Sequence, residues 1–199
     1  MTLPQATSWA CLFAGAALVH ALLSPAHVER AAASPAVERL QLQQKISRRA
    51  QVLTRTDLII PVANVAGGAL TDTWGATRSE GRTHEGIDIL APLGTPVRAA
   101  ADGRVVKFFD SVRGGVTIYQ FDTSERFVYY YAHLNRRAAG LMEGAVVRQG
   151  DVIGYVGMTG NAPVPHLHFE IQRLSPERRW WEAESMNPYP LLVAGRAPN

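Results

Sequence analysis

The chain has 199 residues, 47% of them hydrophobic and 19% charged, with a net charge of +3 and a pI near 9.3. That length allows one sizeable core with an appendage, not two full domains. Eighteen of the 20 basic residues are Arg, scattered without a basic helix or an aromatic-basic groove; this speaks against nucleic acid as a partner and leaves an acidic polymer or an anionic surface as a match for the basic balance.

Residues 9–23 form an apolar run broken only by His20, the length of a secretory core and short of the roughly 20 residues of a membrane-spanning helix. Small-residue cleavage options follow at Ser24-Pro25-Ala26 and Ala31-Ala32-Ala33, although residues 1–8 carry no Lys or Arg. The expectation for residues 1–33 is a signal peptide or membrane anchor, with a buried helix as the plainer alternative. The protein is then exported to the periplasm or cell envelope, with membrane attachment through residues 9–23 if the segment stays uncleaved. Cys11, the only cysteine, excludes an intramolecular disulfide and a cysteine metal cage; it stands near the start of the apolar run, where a lipid-acceptor cysteine would end it.

Residues 34–56 read as a helical spacer. Ser34-Pro35 offers an N-cap and a first-turn Pro, and the spacing predicts a helix over 36–53 with a thin apolar stripe at Val37, Leu40, Ile46, Ala50 and Leu53. From residue 57 the text changes to short β-branched or apolar runs bounded by Gly, Pro and Asp. Strands are expected at 58–61, 96–100, 103–109, 116–121, 127–132, 152–156 and 166–172. They predict a mainly β sandwich or partly open barrel over 57–190, followed by a tail at 191–199. Gly94-Thr95-Pro96-Val97-Arg98 is echoed by Gly144-Ala145-Val146-Val147-Arg148, as in lipoyl and biotinyl carriers. Such carriers need Lys at a hairpin tip, and the only lysines are Lys45 and Lys107, the latter in a strand-like run.

Three segments carry chemistry. In Pro165-His166-Leu167-His168-Phe169-Glu170-Ile171, strand alternation puts His166, His168 and Glu170 on one face and the apolar residues on the other. Two imidazoles side by side are costly to bury unpaired. One can bind a metal while its neighbour stands beside it, although surface histidine pairs are common. In Thr83-His84-Glu85-Gly86-Ile87-Asp88, a straight strand would hold His84 and Asp88 about 13 Å apart, but Gly86 can bend the chain so that they converge. Taken alone, this segment reads first as a turn with a capping Asp. In Tyr129-Tyr130-Tyr131-Ala132-His133-Leu134, alternation groups His133 with Tyr129 and Tyr131 as an aromatic wall. Four of the six histidines fall in these segments.

Together the segments resemble the lysostaphin-type, or LytM-like, zinc metallopeptidases that cut peptidoglycan peptides. Also in the family's order are Leu58-Ile59-Ile60-Pro61-Val62, Trp74-Gly75, Ala91-Pro92-Leu93-Gly94-Thr95-Pro96-Val97, Ala100-Ala101-Asp102-Gly103 and Gly144-Ala145-Val146-Val147-Arg148-Gln149-Gly150. The resemblance implies an antiparallel β fold with a site on an open groove. It implies one zinc ion held by His84, Asp88 and His168, with His133 and His166 as the catalytic pair acting on peptidoglycan peptides. His166 would take or relay the proton of water and His133 would stabilise the oxyanion, or the reverse; Glu170 would orient a ligand or else lie at the surface. A non-catalytic LytM-like activator and a zinc peptidase with a protein substrate are the alternatives. The chain departs from the family's pattern in an expanded stretch at 78–83 and in the turn 160–165, both of which bear on groove shape and peptide preference.

Overall fold

The computed structural model describes residues 34, 36–44 and 57–198. The chain divides into two compact units, Met1–Leu42 and Gln43–Asn199. Helix α1 covers residues 36–44; the Ser34 carbonyl accepts the amides of Val37 and Glu38 at its start, and its side chains are exposed. The apolar run 9–23, its cleavage options and residues 45–53 of the expected helix lie outside the described residues. Among the described residues no helix is long and apolar enough to cross a membrane.

The second unit is a mainly β, antiparallel fold with nine strands among its described residues: β1 (Ile87–Leu90), β2 (Pro96–Arg98), β3 (Gly103–Lys107), β4 (Val116–Asp122), β5 (Phe127–Arg137), β6 (Val146–Val147), β7 (Val152–Val156), β8 (His166–Arg173) and β9 (Glu184–Met186). The main path runs β1-β8-β5-β4-β3-β6; β7 joins the far half of β5 and carries β2, and β9 edges β8. Every pairing is antiparallel. β5 is central and largely covered on both faces, which is why its sequence is a near-continuous apolar and aromatic run and not an alternation. β8 is half-buried and alternates: Leu167, Phe169 and Ile171 enter the core while His166, His168 and Glu170 line a cleft.

Several boundaries differ from the sequence expectation. Residues 58–61 form no strand; Ile59 and Pro61 meet Ala100 and Arg98 through isolated backbone bonds, and the nearest ladder contact is a single bridge from Val62 to Val97. Pro61 has no N–H to continue a ladder. β1, β6 and β9 are too short to stand out as periodic runs. The boundary at residue 190 falls inside helix α2 (Tyr189–Ala194), whose Leu192 is in the core.

Behind the cleft lies a buried polar relay. Tyr131 is fully buried; its hydroxyl donates to Gln120 Oε1 at 2.8 Å and accepts the Ala100 amide at 2.9 Å, and Gln120 Nε2 donates to the Ala101 carbonyl at 2.8 Å. The relay ties β4 and β5 to the turn before β3. Removing one partner strands the others without water. Tyr131→Phe is therefore expected to lower unfolding free energy in urea by about 1–3 kcal/mol.

Candidate metal centre

Asp88 on β1 stands directly opposite His168 on β8. Facing residues of an antiparallel pair carry their Cβ atoms about 4.5–5.5 Å apart, so the ladder itself delivers a carboxylate beside an imidazole. Ile87 and Ile89 on either side of Asp88 are buried, which fixes the face that Asp88 presents. His84 arrives from the loop before β1. Gly86 has no left-handed torsion; its requirement is space, because a Cβ there would lie 2.5 Å from the Phe169 carbonyl oxygen and 3.0 Å from His168 Cε1. Close approach to β8, more than a bend, brings His84 in.

Three donor atoms meet there. His84 Nε2 is 2.9 Å from His168 Nδ1 and 3.1 Å from Asp88 Oδ1, and His168 Nδ1 is 3.2 Å from the same oxygen. The outer nitrogens are spoken for: His84 Nδ1 donates to the Thr73 carbonyl at 2.7 Å, and His168 Nε2 to Glu170 Oε1 at 2.7 Å. Those bonds leave the two inward nitrogens as lone pairs pointed at each other and at a carboxylate. Such a set repels itself unless a proton or a metal cation lies among it. Burial opposes charging His168, but Asp88 and Glu170 outweigh it and raise its pKa to about 9. Burial likewise opposes ionising Asp88, but its polar neighbours His166, His168, His84 and Arg78 hold it far below the carboxylate range. Donors of a tetrahedral zinc bound at about 2.0–2.1 Å stand about 3.3 Å apart, close to the spacings found, so the donor set fits zinc. His84, Asp88 and His168 are the group of described residues that could hold a metal ion.

The surrounding shell is also in place. Glu170, expected either here or at the surface, is buried; its second oxygen accepts from Gln172 Nε2 at 2.5 Å and Ser185 Oγ at 3.1 Å. Arg78 pairs with Asp88 Oδ2, which leaves Oδ1 facing the histidines. Carboxylate–histidine pairing of this kind fixes ring orientation and tautomer.

His133 and His166 adjoin the donor set. Their ring centroids are 4.8 Å apart, and that of His133 lies 5.8 Å from the His168 ring. His166 Nε2 is 3.4 Å from Asp88 Oδ1. In each ring Nδ1 meets a carbonyl oxygen at 2.8 Å, Thr159 for His133 and Val164 for His166, so Nδ1 carries the proton and Nε2 is the acceptor. Burial pushes His133 down to about 4, so it is a neutral acceptor at neutral pH.

The grouping of His133 with Tyr129 and Tyr131 is corrected. Both tyrosines face the core, and Tyr130 lines the cleft. His133 has φ of 59°, the left-handed region, at a register shift between β4 and β5. This bulge turns one odd-numbered side chain to the even face, a device frequent beside functional sites. All five residues singled out from sequence line one cleft of about 330 Å³, together with Arg78, Arg82, Arg113, Tyr130 and Asn161, which sequence reading passed over.

Residues 82–188 match peptidase family M23. The L-Ala–D-Glu endopeptidase of Bacillus subtilis is 37% identical over 131 residues, 61% of this chain and 39% of that protein. The peptidoglycan DD-endopeptidase ShyC of Vibrio cholerae is 40% identical over 89 residues, 45% of this chain and 20% of that protein. The chain thus spans well under half the length of both curated relatives. The catalytic domain of lysostaphin from Staphylococcus simulans shares the fold with a TM-score of 0.52 at 30% identity, covering 60% of this chain and 88% of that domain. The matched stretch begins two residues before His84, ends beyond β9 and takes in more than half of the sequence; the chain belongs to peptidase family M23.

Proposed function

We propose that this chain is a zinc-dependent endopeptidase that hydrolyses peptide bonds in bacterial peptidoglycan. The observation that carries the reading is the convergence of His84 Nε2, Asp88 Oδ1 and His168 Nδ1 within 3.2 Å, with both outward ring nitrogens already bonded. Three protein donors are the number found in catalytic zinc sites, which keep a further position open. The two curated relatives are named for cutting peptide bonds, one of them in peptidoglycan. A non-catalytic relative would have no use for the histidine pair, whereas His133 and His166 are both present and held by backbone carbonyls.

Zinc bound there would supply a Lewis acid that lowers the pKa of water to about 7 and polarises a carbonyl group. The chain's own part is to place proton acceptors beside it. His133 and His166 each offer Nε2, so either can take the proton of an attacking water and afterwards donate it to the nitrogen of the breaking C–N bond. As His133 is neutral at rest, an oxyanion-stabilising role for it begins only once it has gained a proton. Glu170 and the Thr73 carbonyl hold the two metal-binding rings, and Arg78 holds Asp88. Digestion of purified peptidoglycan by the full chain, with and without a zinc chelator, tests the activity. New peptide termini in the mass spectrum that vanish with chelation support it, and an unchanged digest overturns it.

We further propose that residues 9–23 direct export to the cell envelope. A fusion of residues 1–56 to a reporter active only outside the cytoplasm should be active; an inactive, cytoplasmic fusion would remove this reading.

The metal assignment predicts a single zinc ion per purified chain. His84→Ala, Asp88→Ala and His168→Ala should each abolish tight binding, whereas Glu170→Gln should weaken it by about 10–100-fold. Elemental analysis and chelator competition give the answer, and stoichiometric zinc in His168→Ala would sink this donor set.

Proton transfer predicts the opposite pattern for the other two rings. His166→Ala and His133→Ala should keep their zinc while hydrolysis falls by about 10²–10⁴-fold. Zinc content and cleavage rate are measured on the same preparations. Wild-type rates in both variants would show that neither ring takes part.

A further inference from the structure

The rim of the cleft holds a cluster for which hydrolysis has no use. It is built from two stretches, 78–83 and 160–165, and both converge on Arg113 in the turn between β3 and β4. Asn161 N donates to the Arg113 carbonyl at 3.0 Å, and Gly160 allows the approach, since a Cβ there would lie 2.2 Å from that oxygen. From the other side Glu80 Oε2 accepts from the Arg113 guanidinium at 2.7 Å. Glu80 sits at φ of 64°, a left-handed torsion uncommon outside glycine, in the 3-10 turn Ser79–Gly81. Arg82 faces the same oxygen but does not reach it: its Nε is 3.8 Å away, and that nitrogen is buried with no hydrogen-bond partner. Arg78, the third guanidinium of the cleft, is committed to Asp88.

Two guanidiniums thus face one carboxylate oxygen, and one keeps a buried donor unsatisfied. Each guanidinium has five N–H donors in a planar fork suited to a carboxylate. The Glu80–Arg113 pair is largely exposed on both sides, at 67% and 60%, so water screens it and it is weakly held. Arg82, Arg113 and the five candidate site residues line the same cleft. We propose that Arg82 and Arg113 form a subsite for a free carboxylate of the peptide substrate, on a residue close to the scissile bond, and that Glu80 occupies it between substrates. The assignment rests on the endopeptidase reading and adds the substrate class: acidic peptides in preference to their amidated counterparts. An arriving carboxylate displaces Glu80 from Arg113 and gives the Arg82 Nε–H the acceptor that it lacks.

The test uses the full, zinc-loaded chain carrying His166→Ala, which keeps the probe intact, and isothermal calorimetry. The probes are two end-blocked L-Ala–D-Glu peptides, identical except that one bears the free glutamyl carboxylate and the other a carboxamide. Charge-assisted bonds predict that the carboxylate peptide binds about tenfold more tightly. Adding Arg113→Gln or Arg82→Gln should erase that preference, and adding Glu80→Gln should tighten binding of the carboxylate peptide several-fold by removing the internal competitor. Equal binding of the two peptides, no binding of either, or a preference that survives both arginine substitutions overturns the subsite. Arg113 is exposed and Glu80→Gln keeps its shape, so unchanged melting curves separate recognition from misfolding. Cleavage by the wild-type chain distinguishes the two readings. Both peptides cut at equal rates would leave the endopeptidase standing without the subsite, and carboxylate preference without any cutting would leave the subsite without the endopeptidase.

Discussion

β8 borders two environments at once, and the rest of the site depends on its register against β1 and β5. Leu167, Phe169 and Ile171 are fully buried on one face, each worth about 1.5–3 kcal/mol of apolar transfer. A slip of one residue would send those three into the cleft and the two histidines and Glu170 into the core. The apolar face therefore holds the polar face in place. Because His168 opposes Asp88 on one side and Ala132 on the other, that same register puts the carboxylate beside the imidazole and a small side chain where the ring needs room.

Such a cluster is expensive to bury as it stands. Inward lone pairs on His84 and His168 face a carboxylate, and the fold gives them no neutral way out, because the outward nitrogens already donate to Thr73 and Glu170. Burial deepens the conflict by weakening the screening that water would provide. A proton on His168 Nδ1 can relieve part of it, as the raised pKa of His168 indicates, but that single N–H has two acceptors to serve, His84 Nε2 and Asp88 Oδ1. A divalent cation answers all three donors together. The buried polar partners thus belong to the same design as the ligands: they cost desolvation in order to make the inward set unable to satisfy itself.

What the sequence could reveal follows from how local each feature is. Period-two alternation on β8 is local, and His166, His168 and Glu170 were legible as one face. The convergence of His84 with Asp88 was legible from Gly86, although its cause is the nearness of the Phe169 carbonyl, a contact more than eighty residues away in sequence that no local pattern encodes. On β5 alternation misled, because the left-handed His133 inserts a bulge and Tyr130, not its neighbours, reaches the cleft. Residues 58–61 have the composition of a strand but no ladder, since Pro61 has no amide to offer. Of the cleft arginines, those in the stretch 78–83 were legible only as shaping the groove and Arg113 was not legible: they come from two loops whose meeting depends on how β1, β4 and β5 pack.

This division between strands and loops has a chemical consequence. Asp88 and His168 sit on paired strands, and His84 is pressed against them by Gly86, so the metal donors are held by ladders that also carry the core. His133 and His166 take their ring orientation from backbone carbonyls of the neighbouring turns. Arg113 and Glu80, by contrast, sit on turns whose side chains reach water. Loops accept insertions that strands cannot, because fewer buried contacts depend on them. A fold arranged this way can keep one hydrolytic centre while its rim is rewritten. The two curated relatives, whose names carry different bonds, fit that pattern. Substrate choice on this scaffold should therefore be sought in the stretches 78–83, 110–115 and 160–165, and not among the donors themselves.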